Sequence, residues 1–166
     1  RTLGTQMKAT GEVMAIERTL EAAMLKAIRS LEIGLTHLEM PELKELSDEE
    51  IRARISKIDD ERIFVVAEAL RRGVSLEDIH EITMIDRWFL QKILNIVKME
   101  TVLKTEPMTK DIMRKAKRMG FADVVIGEYI GKQMMEVRAM RKDWGIIPTY
   151  KMVDTCAAEF EAETPY

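Results

Sequence analysis

The sequence predicts an all-α fold, an irregular multi-helix domain of short capped helices with an extended C-terminal strap. Apolar residues recur at helical spacing in most segments, and glycine or proline separates one such segment from the next. Many of these segments also begin with a serine, threonine or aspartate of the kind that caps a helix. Alternating apolar and polar runs, which are typical of strands, are scarce, and only residues 146–153 are expected to be extended.

The first predicted helix begins at Thr19 and follows a single apolar stripe, and Gly34 is expected to close it. The stripe consists of Leu20, Ala23, Met24, Ala27, Ile28 and Leu31. Farther along, Ser47 and Glu50 have the spacing of a capping box and predict a second helix. The apolar residues that this helix should bury are Ile51, Ile55 and Ile58.

A third helix is predicted over residues 61–72, with Asp59 or Asp60 as its cap and Gly73 as its stop. Its run from residue 63 to 67 is apolar nearly all round, so we expect this helix to be central. Further helices are predicted over residues 75–83, 87–104, 110–119, 123–130 and 133–144, with Ser75, Asp86 and Thr109 as starts and Gly120 and Gly145 as stops.

Two stretches of the sequence resemble each other. Residues 73–81 and 120–128 share a glycine, an apolar residue, a small residue, three further residues, an isoleucine, any residue and a glutamate. Each stretch follows a basic helix end and precedes a short helix, a turn and a longer helix. Two copies are as compatible with chance as with an internal repeat, so we assign no function to the pattern.

The composition is that of a globular protein without a strong net charge. Hydrophobic residues make up 46% of the 166 residues and charged residues 33%, which excludes disorder as the main state. The net charge of -3 is not that of a dedicated nucleic-acid-binding protein. A single cysteine, Cys156, suits a reducing, cytoplasmic compartment, and no apolar run approaches the ~18 residues of a membrane span. Because the sequence starts at Arg1 without a signal segment, we expect a piece of a longer protein.

No group of residues predicts catalysis, and we expect no catalytic, cofactor-binding or metal site in this chain. His37 and His80 lie far apart in the sequence, and neither has a His or Cys at metal-ligand spacing. The acids Asp59, Asp60 and Glu61 could bind a divalent cation, but consecutive acids are typical of a helix start. The sequence contains no glycine-rich phosphate loop and no nucleophile elbow.

Two basic segments leave a helical DNA-binding module of the helix-turn-helix type as an alternative. Residues 110–118 carry five positive charges against one acid, and residues 132–143 carry four against two. A recognition helix would present Gln133, Arg138, Arg141 and Lys142 to a groove. The acidic total and the apolar residues interleaved with these four count against this alternative, and we expect no nucleic-acid partner.

Three separated motifs carry a resemblance to a known family. They are Gln6-Met7-Lys8-Ala9-Thr10-Gly11-Glu12-Val13-Met14-Ala15-Ile16 with the helix that follows, Ala69-Leu70-Arg71-Arg72-Gly73 with Ile85-Asp86-Arg87-Trp88-Phe89-Leu90, and Tyr150-Lys151-Met152-Val153-Asp154-Thr155-Cys156-Ala157-Ala158-Glu159-Phe160. In this order they resemble the end of the first ATP-grasp unit, the helical linker domain and the strap before the second half in the large subunit of carbamoyl phosphate synthetase. Glu17 departs from the family pattern, which usually has glycine there.

The resemblance implies that residues 1–31 are the C-terminal tail of the first ATP-grasp (carboxyphosphate) unit. Residues 32–166 would then be a non-catalytic helical oligomerisation domain, with about 146–166 as an extended linker. The parent implied is a cytoplasmic ligase that makes carbamoyl phosphate for arginine and pyrimidine synthesis from bicarbonate, glutamine-derived ammonia and two ATP. Its cofactors would be ATP with Mg or Mn, bound outside this chain. Its partners would be further copies, the two ATP-grasp halves and a small glutaminase subunit, with no nucleic acid and no membrane.

The resemblance also suggests two sets of site residues. Met7 would lie beside the internal passage for carbamate, where an apolar side chain suits the wall, although a core methionine is the simpler explanation. Oligomerisation, together with apolar residues in short helices, predicts contacts between copies. The residues predicted for these contacts are Trp88, Phe89, Phe121, Tyr129, Met134 and Trp144. The alternative is that they pack in the core of one copy.

Overall fold

The structure is a computed structural model that describes residues 14, 15, 17–30 and 37–147. In these ranges the chain forms nine α-helices and no strand, which confirms the all-α prediction. The helices are α1 (Leu20–Ser30), α2 (Pro41–Lys44), α3 (Asp48–Ile55), α4 (Arg62–Arg71), α5 (Leu76–Thr83), α6 (Arg87–Thr105), α7 (Lys110–Met119), α8 (Asp123–Ile130) and α9 (Met134–Asp143). Met7, Gly34 and the strap beyond residue 147 lie outside the described residues, and what was predicted for them remains a prediction.

Most of the predicted caps form at the helix starts. The Ser47 hydroxyl accepts the amide of Glu50 at 3.2 Å, and the Glu50 carboxylate accepts the amide of Ser47 at 2.7 Å, which completes the capping box. The side chains of Ser75, Asp86 and Thr109 accept amides in the first turns of α5, α6 and α7. Each cap satisfies a backbone amide that the helix itself leaves without a partner.

The start of α4 differs slightly from the prediction. Glu61, and neither Asp59 nor Asp60, occupies the N-cap position. Asp59 supports this start from outside the helix, because its carboxylate accepts the amide of Glu61 at 3.1 Å. The helix is buried from Phe64 to Leu70, as its apolar run predicts.

The core is built around α6, the longest helix in the described part of the chain. This helix packs against α1, α4, α5, α7 and α8. Its buried apolar residues include Leu90, Ile93, Ile96, Val97 and Leu103. Burial of these side chains is the main favourable contribution to folding, at roughly 1.5–3 kcal/mol for each.

The short helix α2 has no counterpart among the predicted elements. Four residues are too few to show a helical period. The local signal is Pro41, which stands at the first helical position, where a missing amide leaves no bond unmade. Leu43 is buried, and the helix packs against α4.

The two similar stretches of sequence have the same structure. Gly73 and Gly120 both adopt the left-handed conformation, with φ of 87° and 95°. The residue after each glycine donates its amide to the carbonyl five residues earlier, at 3.0 and 3.1 Å. The equivalent helix boundaries are Leu76 and Asp123, Thr83 and Ile130, and Arg87 and Met134, each pair 47 residues apart. The pattern therefore marks a structural repeat, with α5–α6 and α8–α9 as its two copies.

Candidate interaction surfaces

Three apolar side chains are exposed where α5 turns into α6, and we call them the α5–α6 patch: Ile82, Met84 and Trp88. Met84 is 75% exposed and Trp88 is 61% exposed. The ammonium group of Lys92 lies 5.3 Å from the centre of the Trp88 ring, in a cation–π contact. Large apolar side chains that cluster on a surface in this way mark a candidate contact site.

The backbone of Met84 is a second unusual feature of the patch. Its φ of 57° and ψ of 15° lie in the left-handed region, which glycine usually occupies at the end of a helix. Its amide ends α5 by donating to the carbonyl of His80 at 2.7 Å. A methionine in this conformation destabilises the fold by about 1 kcal/mol relative to glycine. Because the side chain is exposed, packing within the described domain does little to offset that strain.

The six residues predicted as contacts between copies differ in their exposure. Trp88 and Met134 are exposed, Phe89, Tyr129 and Trp144 are half-buried against the core, and Phe121 is buried. The structure corrects the prediction for Phe121, which is 1% exposed and cannot form an external contact. The left-handed turn at Gly120 directs the chain back over α7, so the next residue enters the core.

Tyr129 belongs to a polar cluster inside the domain. Its hydroxyl donates to the carboxylate of Glu39 at 3.4 Å, and its ring meets His37 edge-on at 5.9 Å. The ammonium group of Lys104 lies 4.9 Å from the centre of the ring. Burial raises the pKa of the Tyr129 phenol, and the negative charges of Glu100 and Glu39 act in the same direction. These contacts give Tyr129 a structural role in the domain interior.

Glu39 forms the centre of this cluster. Its hydrogen bond with His37, at 2.8 Å, is the largest cause that lowers the pKa of the Glu39 carboxyl. Burial acts in the opposite direction, while the positive charges of Arg71, Lys104 and Lys44 lower the pKa further. Glu39 is therefore ionised at neutral pH and links the segment before α2 to α6.

Arg71 joins α4 to α6 through a buried ion pair. Its guanidinium donates two hydrogen bonds to the carboxylate of Glu100, at 2.8 and 2.9 Å. It also donates to Glu68 at 3.2 Å and to the backbone carbonyl of Leu38. Glu100 is 1% exposed, so its charge has no compensation from water. Such a pair is stable only when both charges and the remaining donors are satisfied.

The neighbouring Arg72 holds α2 and α3 against the end of α4. It donates to the carbonyls of Leu43 and Leu46 at 2.9 and 2.6 Å, and to the carboxylate of Asp48 at 3.0 Å. Sequence reasoning did not assign a role to Arg71 or Arg72. The available signal was two adjacent arginines at the end of an otherwise apolar helix.

A basic cleft of about 580 Å³ lies between the residues before α1, the end of α7 and the end of α9. Its charged lining residues are Glu17, Arg18, Arg114, Lys117, Arg118 and Arg141. Glu17, the departure from the family pattern, pairs with Lys26 at 3.0 Å. The cleft therefore has five positive side chains and one negative side chain that is already paired.

Positive charge in the cleft is only partly neutralised. Lys117 and Arg141 share one carboxylate, that of Asp123, and each lies 3.0 Å from it. Burial lowers the pKa of Lys117, and the positive charges of Arg141 and Arg29 also lower it, while Asp123 acts in the opposite direction. This crowding indicates that the cleft suits an anionic group.

Residues 12–145 match the family described as carbamoyl-phosphate synthetase large chain, oligomerisation domain. The chain belongs to this family. Over all 166 residues it is 54% identical to the carbamoyl phosphate synthase large chain of Thermoanaerobacter sp. (strain X514), and it spans 16% of the length of that relative. The resemblance carried by the three sequence motifs is therefore confirmed.

For an oligomerisation domain, the helix-turn-helix DNA-binding alternative is no longer supported. Arg141, one of the four residues of the supposed recognition helix, is 6% exposed. It donates to the carboxylate of Asp123 at 3.0 Å and to the carbonyl of Ile146 at 2.9 Å. A guanidinium that makes these contacts is not available to hydrogen-bond to the edge of a DNA base.

Asp59 and His80, two of the side chains considered as metal ligands, have other partners in the structure. Over residues 14, 15, 17–30 and 37–147 no group of three or more His, Cys, Asp or Glu side chains could hold a metal ion. The carboxylate of Asp59 pairs with Lys57 at 3.1 Å, and a ring nitrogen of His80 lies 2.6 Å from the carbonyl of Ile85. Within the same ranges, no helix is both long and apolar enough to cross a membrane.

Proposed function

We propose that this oligomerisation domain joins copies of a large synthetase chain and links its two halves without catalytic groups of its own. Residues 1–31 are assigned to the tail of the first ATP-grasp unit, with Met7 beside the carbamate passage. Residues 32–166 are the oligomerisation domain, and about 146–166 form its linker to the second half. Two observations support this proposal. The chain matches the family of oligomerisation domains, and its described helices pack around a continuous apolar core.

The parent chain is assigned the activity named for its relative. It would make carbamoyl phosphate in the cytoplasm from bicarbonate, two ATP and ammonia that a small glutaminase subunit releases from glutamine, for arginine and pyrimidine synthesis. The described residues do not fit ATP or its Mg or Mn ion, because they contain neither a suitable carboxylate cluster nor a glycine-rich phosphate loop. No step of that reaction is assigned to them.

The α5–α6 patch is the face assigned to self-association. The observation that carries this assignment is Met84, an exposed methionine held in a backbone conformation that favours glycine. Strain without a compensating contact in the domain points to a functional contact elsewhere. Most assemblies of identical chains have twofold symmetry, so the patch would meet its own copy.

A durable contact needs more surface than three side chains provide, at about 1,000 Å² or more in total. The prediction that Ile58 is buried is wrong, because α3 ends at Ile55 and Ile58 is 84% exposed beyond it. We infer that Ile58 extends the apolar surface of the patch. Arg62 ties the end of α3 to the end of α5, because it donates to the carbonyls of Ile55 and Thr83 at 3.2 and 3.4 Å. Arg62, the first residue of α4, therefore fixes the end of α3 beside the end of α5, where the patch begins.

Sedimentation over a concentration series tests this assignment. Trp88→Ala and Met84→Gly should each weaken association by about tenfold or more, as expected for the loss of a central aromatic or apolar contact. Met135→Ala is the matched control, because this methionine is exposed on α9 outside the patch. Circular dichroism of each variant should match that of the unchanged chain.

Two outcomes would contradict different parts of the proposal. A 19.2 kDa monomer at every concentration would refute self-association by this chain. Association that Trp88→Ala and Met84→Gly leave unchanged would refute the choice of face. A loss of association in Met135→Ala alone would instead place the contact at α9.

A further inference from the structure

The basic cleft contains cations that have no partner among the described residues. Arg18 and Arg118 are exposed and form no ion pair with residues 14, 15, 17–30 or 37–147, and Arg114 reaches only Asp111, at 3.7 Å. The dipole of α7 favours a cation in its last turn, which accounts for Arg118. It does not account for Arg18, which precedes α1. Cations from separate elements converge on one cleft, and this convergence indicates an anionic occupant.

The C-terminal residues of this sequence carry the complementary charge. After Lys151 the sequence contains no lysine or arginine, and its four acids are Asp154, Glu159, Glu161 and Glu163. Residues 1–13 contain two basic residues and one acid, so their charge does not match the cleft. Residues 31–36 contain a single acid. Among the segments outside the described residues, the C-terminal one alone is strongly acidic.

Chain continuity places this acidic segment within reach. Ile146 and Ile147 line the cleft, so the chain leaves the described domain at the cleft itself. Asp154 follows Ile147 by seven residues, and seven extended residues span at most about 25 Å. The segment can therefore return to the cleft without any change in the helices.

We propose that the segment from residue 154 to 163 docks in the basic cleft of its own chain, with its carboxylates on Arg18, Arg114 and Arg118. This contact fixes the direction in which the strap leaves the domain. It joins two parts of one chain, whereas the proposed self-association joins two chains. Failure of one proposal therefore leaves the other standing, because only self-association depends on protein concentration.

Amide hydrogen exchange of the full 166-residue chain tests the docking. One variant removes the acids, by Asp154→Asn, Glu159→Gln, Glu161→Gln and Glu163→Gln together. Exchange across residues 152–164 should become about tenfold faster in this variant, as the loss of several surface ion pairs implies. The charge reversal Arg18→Glu with Arg118→Glu should have the same effect on that segment.

A matched control and a rescue distinguish a specific contact from a change in net charge. Lys98→Glu with Lys110→Glu makes the same charge change on exposed lysines that do not line the cleft, and it should leave exchange at residues 152–164 unchanged. Adding Glu161→Lys and Glu163→Lys to the variant with Arg18→Glu and Arg118→Glu should restore the protection of residues 152–164 from exchange. High salt should remove the protection in the unchanged chain.

Other occupants of the cleft give different results. Protection of the acidic segment that grows with protein concentration would assign the cleft to a second copy and overturn docking within one chain. If inorganic phosphate protects α7 while residues 152–164 of the unchanged chain exchange as fast as in the variant without acids, the cleft is a small-anion site and the docking is overturned. Equal exchange at residues 152–164 in the unchanged chain and in the variant without acids would refute the proposal outright.

Discussion

Met84 and Gly131 occupy equivalent positions, 47 residues apart, in the two copies of the structural repeat. Each is the left-handed residue that ends a short helix, with φ of 57° and 72°, and each precedes the next N-cap residue by two positions. Glycine is the usual residue at such a position, because a Cβ atom is strained there. The two positions should therefore respond to substitution in opposite directions.

Met84→Gly should stabilise the monomer, whereas Gly131→Ala should destabilise it, each by about 1 kcal/mol. No atom lies within 4 Å of a Cβ added at Gly131, so the effect there comes from the backbone alone. In a domain of this size, 1 kcal/mol shifts the melting temperature by about 2–4 °C. Thermal unfolding at low concentration, where association does not contribute, measures both changes. A lower melting temperature for Met84→Gly would show that its side chain packs within the domain.

Gly120 and Gly73 form a second matched pair, because they share a conformation but differ in their surroundings. A Cβ at Gly120 would lie 2.8 Å from the Cα of Ala22 in α1, whereas one at Gly73 has no atom within 4 Å. We expect Gly73→Ala to lower the free energy of unfolding by about 1 kcal/mol and Gly120→Ala by about 3 kcal/mol. Urea unfolding checks the difference, and equal losses would show that α1 does not rest on this turn.

Local signals in the sequence predicted most of the helices. Ser47, Ser75, Asp86 and Thr109 cap helices where their spacing predicts, and Gly120 ends α7. These features depend on residues a few positions apart, so one sequence is enough to find them. The four-residue α2 was missed because it is shorter than the period that reveals a helix.

The buried polar network could not be predicted in the same way. Arg71 and Glu100 lie 29 positions apart in the sequence, and no local sequence pattern in α4 or α6 predicts their contact. The candidate surface was found only in part for the same reason. Trp88 stands in the first turn of α6 and Phe121 just after α7, and both are aromatic residues near a helix end, but tertiary packing exposes the first and buries the second.

The Arg71–Glu100 pair gives a prediction on stability. Arg71→Met leaves the Glu100 carboxylate buried without its partner, which should lower the free energy of unfolding by about 3–5 kcal/mol. The double variant with Glu100→Leu removes the orphaned charge and should recover about half of that loss. Recovery is incomplete because Arg71 also binds Leu38 and Glu68. Urea unfolding of both variants gives the comparison, and additive losses would contradict a coupled pair.

The lowered pKa of Glu39 predicts how the free energy of unfolding depends on pH. Its folded-state pKa lies below the usual value of 4.5, so the ionised carboxylate stabilises the fold above that value. The contribution is lost as pH falls from about 5 toward the folded-state pKa, because the unfolded chain then binds the proton more readily. Glu39→Gln removes this contribution and should flatten the decrease in the free energy of unfolding below about pH 5. Glu42→Gln is the control, since Glu42 is exposed and forms no ion pair with a described residue. Urea unfolding from pH 3 to 7 measures the slope, and the same acid slope in Glu39→Gln as in the unchanged chain would assign the pH dependence to other carboxylates.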